Sequence, residues 1–272
     1  MKAVAYRLQA ATTVAQANTA LRAGGWGSKP IAGGQSLGAM LNLRLAQPEQ
    51  LVDLDGIATL REVAVQPDAI AFGAMVTHAS VEDGKVPDPT RGLMPHVARG
   101  IAYRAVRNRG TIGGSLCHAD PAADWVSTMP LLGASLHIDG PDRSRMVPAR
   151  DFMRGAFETQ LDDGELLTAI RVPVLSASAC WSYRKFCRKT GEFAQALACA
   201  LRDPVLGIER VVLGALDGAP RVFDGAGLLA SLRTDVARQA WLDANGIALD
   251  GARMALLNEM LRLVVADMEE SR

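Results

Sequence analysis

The sequence predicts an α+β fold in two parts. Three observations predict it. Helical and strand-like segments alternate through the first two thirds of the chain; two Gly-Gly turns sit where an apolar strand hands over to polar residues; and the character of the chain changes near Val172-Pro173. At 272 residues there is enough chain for one large or two medium domains with an ample core.

The elements follow in order. "KAVAYRLQ" is a short mixed strand. "TTVAQANTALRAGG" carries apolar residues at helical spacing and stops at Gly24-Gly25. "KPIAGGQS" is a strand running into the first Gly-Gly, and "LGAMLNLRLAQP" is one helix closed before Pro48. "EQLVDLDGI" is a strand, and "TLREVAVQPDAIAFGAMVTH" alternates like a hairpin that turns at Gln66-Pro67-Asp68. Ser80 to Asn108 is helical, with Pro87, Pro89 and Pro95 marking loops. "GTIGG" is a strand, followed by a loop and a helix from Pro121 to Leu132 with Asp120 as its N-cap. "ASLHIDGPDRSRMVPARDF" is a hairpin across Gly140-Pro141. Beyond the boundary at about 173–178 come strands packed with helices, and the last forty residues are helical and amphipathic.

Composition excludes several functions. Lys plus Arg and Asp plus Glu both total 29, so the formal charge is zero, unlike a nucleic-acid binder with its basic surface. The N-terminus lacks the apolar segment of a signal peptide, and no run approaches the roughly 18 apolar residues of a spanning helix, so a cytoplasmic protein is expected. Cys117, Cys180, Cys187 and Cys199 show no C-x-x-C spacing, and four histidines are scattered; no metal site is expected.

The Gly-Gly turns, "PIAGGQSLGAM" and "TIGGSLCHADPAAD", carry the chemistry. Glycine permits positive φ and close backbone approach. Successive N–H groups in such a turn, backed by a helix N-terminus, form an anion site. Neither turn is a P-loop or a G-x-G-x-x-G fingerprint, so the residues alone lead to a phosphate-containing ligand between two Gly-rich loops.

Taken together the segments resemble the FAD-binding medium subunit of the molybdenum hydroxylases, the group of the carbon monoxide, nicotine and xanthine dehydrogenases. The matching pieces are Ala32 to Leu37, "LVDL" from Leu51, "GAMVTH" from Gly73, "VRNRGTIGGSLCHADPAAD" from Val106, "VPARDF", "ELLTAIRVP" and "YRKFCRKTGEFAQA". The resemblance implies a two-subdomain FAD-binding fold of the vanillyl-alcohol-oxidase and cresol-methylhydroxylase type (residues 1–174, subdomains about 1–56 and 57–174), then a smaller α/β C-terminal domain (175–272). It implies that FAD spans the two turns, with molybdopterin on a large partner subunit, [2Fe-2S] clusters on a small one, and a dimer of heterotrimers.

Position by position, the resemblance implies that Ala32, Gly33, Gly34, Gln35, Ser36 and Leu37 bind phosphate, as do Thr111, Gly113, Gly114 and Ser115 through backbone and hydroxyl donors. Cys117 and His118 continue along the cofactor, and Asp124 accepts hydrogen bonds from its hydroxyls. Ile101, Ala102, Leu166 and Leu167 line the isoalloxazine, and Lys185 lies close to it. No catalytic side chain is implied. Ala39, Ala105, Ser115 and Glu192 depart from the family's usual Pro, Gln, Asn and Asp, and none of these removes a glycine. The expected function is electron transfer from iron–sulfur clusters to an acceptor. Two alternatives are a self-contained flavin oxidase of the same fold and a non-catalytic nucleotide-binding scaffold.

Overall fold

The computed structural model describes residues 2–270. The chain begins β1 (Arg7–Ala10), α1 (Val14–Gly24), β2 (Ser28–Ile31), α2 (Leu37–Asn42) and β3 (Gln50–Asp53). The three strands form a parallel sheet in the order β1-β3-β2, because helical crossovers bring each strand back in the same direction. The Thr13 side chain caps α1 by accepting from the Gln16 N–H, and Gly25 at φ 47° ends it. Ala17, Ala20 and Leu21 of α1 are buried in one cluster with Val52 of β3.

The second stretch holds β4 (Val63–Val65), β5 (Ala69–Gly73), α3 (His78–Glu82), α4 (Leu93–Gly100), α5 (Arg104–Arg107), α6 (Ile112–His118) and α7 (Asp124–Leu132). It continues with β6 (Ser135–Asp139), β7 (Ser144–Pro148), α8 (Ala149–Phe152), β8 (Met153–Gly155), β9 (Glu158–Thr159) and β10 (Leu166–Pro173). An antiparallel sheet runs β4-β5-β10-β6-β7. Both hairpins read from the sequence are present: β4–β5 turns where the Gln66 N–H donates to the Ala69 carbonyl, and β6–β7 turns around Gly140. α6 and α7 lie against β10.

The last stretch holds β11 (Cys180–Phe186), β12 (Ala196–Asp203), β13 (Ile208–Gly214), β14 (Arg221–Asp224), α9 (Leu228–Ser231), α10 (Asp235–Ala244) and α11 (Gly251–Glu270). Its antiparallel sheet β11-β12-β13-β14 carries α11 on one face and α7 on the other. Alternation along β12 divides its residues accordingly. Leu197, Cys199 and Leu201 join a core with Trp125 and Leu131, while Ala196, Ala198 and Ala200 join one with Leu257, Leu261 and Val264.

Four expectations need correction. Pro95 does not mark a loop: it is the third residue of α4, in the first turn, where its missing N–H costs no helical hydrogen bond. "GTIGG" is not a strand: only Thr111 makes a β-bridge, to Thr77, and the glycines form the first turn of α6. The Thr111 side chain accepts from the Gly114 N–H and so nucleates that helix. The helix expected from Pro121 starts three residues later at Asp124, because Asp120 closes a turn instead, accepting from the Ala122 N–H at 2.9 Å. The helix expected to reach Pro48 ends at Asn42, where Arg44 turns into the left-handed region at φ 59°.

Candidate functional site

The first Gly-Gly turn joins β2 to α2, and the second opens α6. They meet. A Cβ placed on Gly33 would lie 1.9 Å from the Arg109 carbonyl oxygen, and one on Gly114 would lie 3.6 Å from the Ala32 Cβ. Glycine at 33 is therefore a packing requirement, since the atoms facing it, the Arg109 carbonyl and the Gly110 Cα, are backbone. Gly34 has φ +72°, where a side chain is strained.

The two turns spend their N–H groups differently. Among the described residues, the N–H groups of Gly33, Gly34, Gln35 and Ser36 donate to no protein acceptor, while the Gln35 side chain pins the loop by donating to the Gly33 carbonyl at 3.0 Å. Four consecutive free donors ahead of a helix suit an anion. In the second turn the N–H groups of Ile112, Gly113, Gly114 and Ser115 donate to Val76 O, Ala74 O, Thr111 Oγ1 and Thr111 O. The backbone donors expected at Gly113 and Gly114 are thus occupied, because α6 is tied to the segment after β5. What remains there is the hydroxyl pair of Thr111 and Ser115. Gly113 is needed for contact: a Cβ would lie 2.5 Å from the Ala74 Cβ.

Further along α6, burial pushes the Cys117 thiol up to about 12, which keeps it protonated and poorly nucleophilic at neutral pH. His118 is half-buried with its ring 5.2 Å from that of Phe157, and burial lowers its pKa. Ala119 ends the helix at φ 51°.

Asp124, the first residue of α7, is buried. Its Oδ1 accepts from Lys185 Nζ at 2.7 Å and from the Tyr183 hydroxyl at 2.6 Å. Lys185 also donates to the Gly100 carbonyl at 2.9 Å, which draws the end of α4 into the same cluster. Next to it, Ile101 and Ala102 (φ 40°) are held by Arg107, whose guanidinium donates to both carbonyls at 2.9 Å and is paired with Glu82. Leu166 and Leu167 are each 4% exposed; Leu166 packs with Leu21 and Met75, Leu167 with the main core.

The structure thus joins the two glycine turns to each other, and Asp124 to Lys185 and the Ile101 segment. Sequence reasoning missed Arg107, Arg109 and Tyr183. Only Tyr183 had a local signal: it lies two residues before Lys185 on a strand, hence on the same face. A groove of about 800 Å³ between α1 and β1, lined by Arg7, Gln9, Gln16 and Gln50, includes none of these residues.

Four free N–H groups beside a second, capped glycine turn form a two-loop surface suited to a phosphate-containing ligand. The matching family model is the FAD binding domain in molybdopterin dehydrogenase, over residues 4–175, and the chain belongs to that family. It is an FAD-binding electron-transfer subunit of a molybdenum-hydroxylase-type oxidoreductase. The carbon monoxide dehydrogenase medium chain of Hydrogenophaga pseudoflava is 33% identical over 88% of this chain and 85% of its own length. The nicotine 6-hydroxylase medium subunit of Paenarthrobacter nicotinovorans is 32% identical over 71% of this chain and 68% of its own. Among solved structures, carbon monoxide dehydrogenase from H. pseudoflava matches with TM-score 0.88 at 30% identity, covering 100% of this chain and 99% of that one. Quinoline 2-oxidoreductase from Pseudomonas putida 86 matches with TM-score 0.84 at 29% identity, covering 99% of each.

Proposed function

We propose that the FAD of this chain lies across the meeting of the two glycine turns, in a domain spanning 1–174 ahead of a C-terminal domain of 175–272. The single observation that supports this most is the run of four free N–H groups from Gly33 to Ser36, set against the second turn by the Gly33–Arg109 contact. Ala32 to Leu37 hold the pyrophosphate. The hydroxyl of Thr111 accepts from Gly114 and keeps its own proton to donate, and Ser115 adds a second hydroxyl. Asp124 accepts from a cofactor hydroxyl. Ile101, Ala102, Leu166, Leu167 and Lys185 border the isoalloxazine, with Cys117 and His118 along the rest of the cofactor. Bound flavin supplies the redox chemistry; the chain binds it, orients it and excludes water.

In the same reading the chain works beside a large molybdopterin subunit and a small iron–sulfur subunit, as a dimer of heterotrimers in the cytoplasm. Electrons arriving from the clusters leave to NAD, a quinone or oxygen. Purification of the full chain tests the core of this. One FAD per chain is expected, and substrate-dependent dye reduction only once both partners are added. Turnover of a hydroxylase substrate by the pure single chain would overturn it.

A further inference from the structure

Tyr183 is buried (8% exposed), and among the described residues its hydroxyl has one partner, Oδ1 of Asp124. Burial beside that carboxylate raises its pKa well above the usual 10, so it stays protonated and donates. Lys185 donates to the same oxygen, and among the described residues Oδ2 receives no hydrogen bond. A carboxylate offers about four acceptor positions, two on each oxygen. Here both donors crowd onto one side and leave the other bare, in a side chain only 9% exposed.

The two donors are not equivalent. The Lys185 ammonium sits on a flexible stem and is shared with Gly100. Tyr183 has a rigid ring on β11, with the rings of His96 6.3 Å away and Trp181 beyond it. It can fix the rotation of the carboxylate where the lysine alone cannot.

We propose that Tyr183 is a positioning residue for Asp124: with Lys185 it occupies Oδ1 and presents Oδ2 as the acceptor for a hydroxyl of the FAD ribityl or ribose chain. This rests on the reading that Asp124 contacts the cofactor. It makes a residue of the C-terminal sheet part of the FAD site without touching FAD.

The test is a double-mutant cycle on the full apo-chain, with FAD as the titrant and flavin fluorescence as the signal. Tyr183→Phe keeps the ring and its packing and removes only the donor. It should weaken FAD binding about tenfold, the scale of one hydrogen bond to a charged group. In the Asp124→Ala background the same change should have no further effect, because there is no carboxylate left to orient. A structural role would instead lower the melting temperature of the apo-chain and multiply with Asp124→Ala; multiplying losses overturn the proposal. Unchanged affinity in Tyr183→Phe, with Asp124→Ala weakened, overturns it while leaving the cofactor reading standing. Unchanged affinity in both removes the proposal and the assignment of Asp124 together.

Discussion

Gly33→Ala puts the two-turn cradle to its sharpest test. The added Cβ would lie 1.9 Å from the Arg109 carbonyl oxygen and 2.6 Å from its carbon, whereas ordinary contact begins at 3.4 Å. The turns must therefore part by about 1.5 Å, and no rotamer can relieve the clash because both facing groups are backbone. Overpacking of this kind costs about 1–3 kcal/mol of stability. Separation also moves the free N–H groups of Gly33 to Ser36 out of reach of phosphate. Each lost bond to a charged group is worth about 1.5–3 kcal/mol, so two losses weaken FAD binding at least about a hundredfold. Titration of FAD into the apo-variant, followed by flavin fluorescence, measures the effect. Gly251→Ala at the start of α11, with no atom within 4 Å of its added Cβ, serves as the control and should bind like wild type. Wild-type affinity in Gly33→Ala would show that the contact between the turns has nothing to do with the cofactor.

Three more outcomes are expected. Asp124→Ala should weaken FAD binding about ten- to a hundredfold, with Asp124→Asn between it and wild type in the same titration. Acid precipitation should release all the yellow colour, since a thiol held at about 12 makes Cys117 a poor site of flavin attachment; colour in the pellet would contradict this. His78 accepts from Trp125 Nε1 at 3.0 Å, and burial depresses its pKa to about 4. The unfolded chain therefore takes up this proton below about 6.5 while the folded chain resists until about 4, so stability falls as pH drops through that window, by up to about 3 kcal/mol. Melting curves from pH 7 to pH 4 should show the loss, and His78→Gln, which keeps an acceptor, should flatten it.

Local signals in the sequence were read well where they were strong. Gly24-Gly25 ends a helix and Gln66 to Asp68 makes a turn. Errors came where a distant partner decided the conformation. Thr111 and Ile112 are β-branched and suggest a strand, but the Thr111 hydroxyl caps Gly114 and the Ala74 and Val76 carbonyls hold the turn, so a helix forms. Gly114, a candidate for positive φ, is helical; Gly34 is the glycine that needs it. Tyr183 shares a strand face with Lys185, which the alternation shows, but its hydrogen bond to Asp124 joins residues 59 apart in sequence. No periodicity encodes such a pairing.

The position of α7 has a consequence for how the molecule opens. This helix carries Asp124 at its first residue and lies on the sheet formed after residue 175, so Trp125 and Leu131 share a core with Leu197, Cys199 and Val212. Fluctuations that expose the amides of β12 must then also loosen the helix that bears the carboxylate. Hydrogen exchange should report one cooperative unit including α7, β12 and β13, not two halves that exchange independently. Cofactor binding at the N-terminal turns would slow exchange in β12 and β13 of the C-terminal sheet. A fragment cut at residue 174 would leave the apolar face of α7 bare and lose that cooperativity.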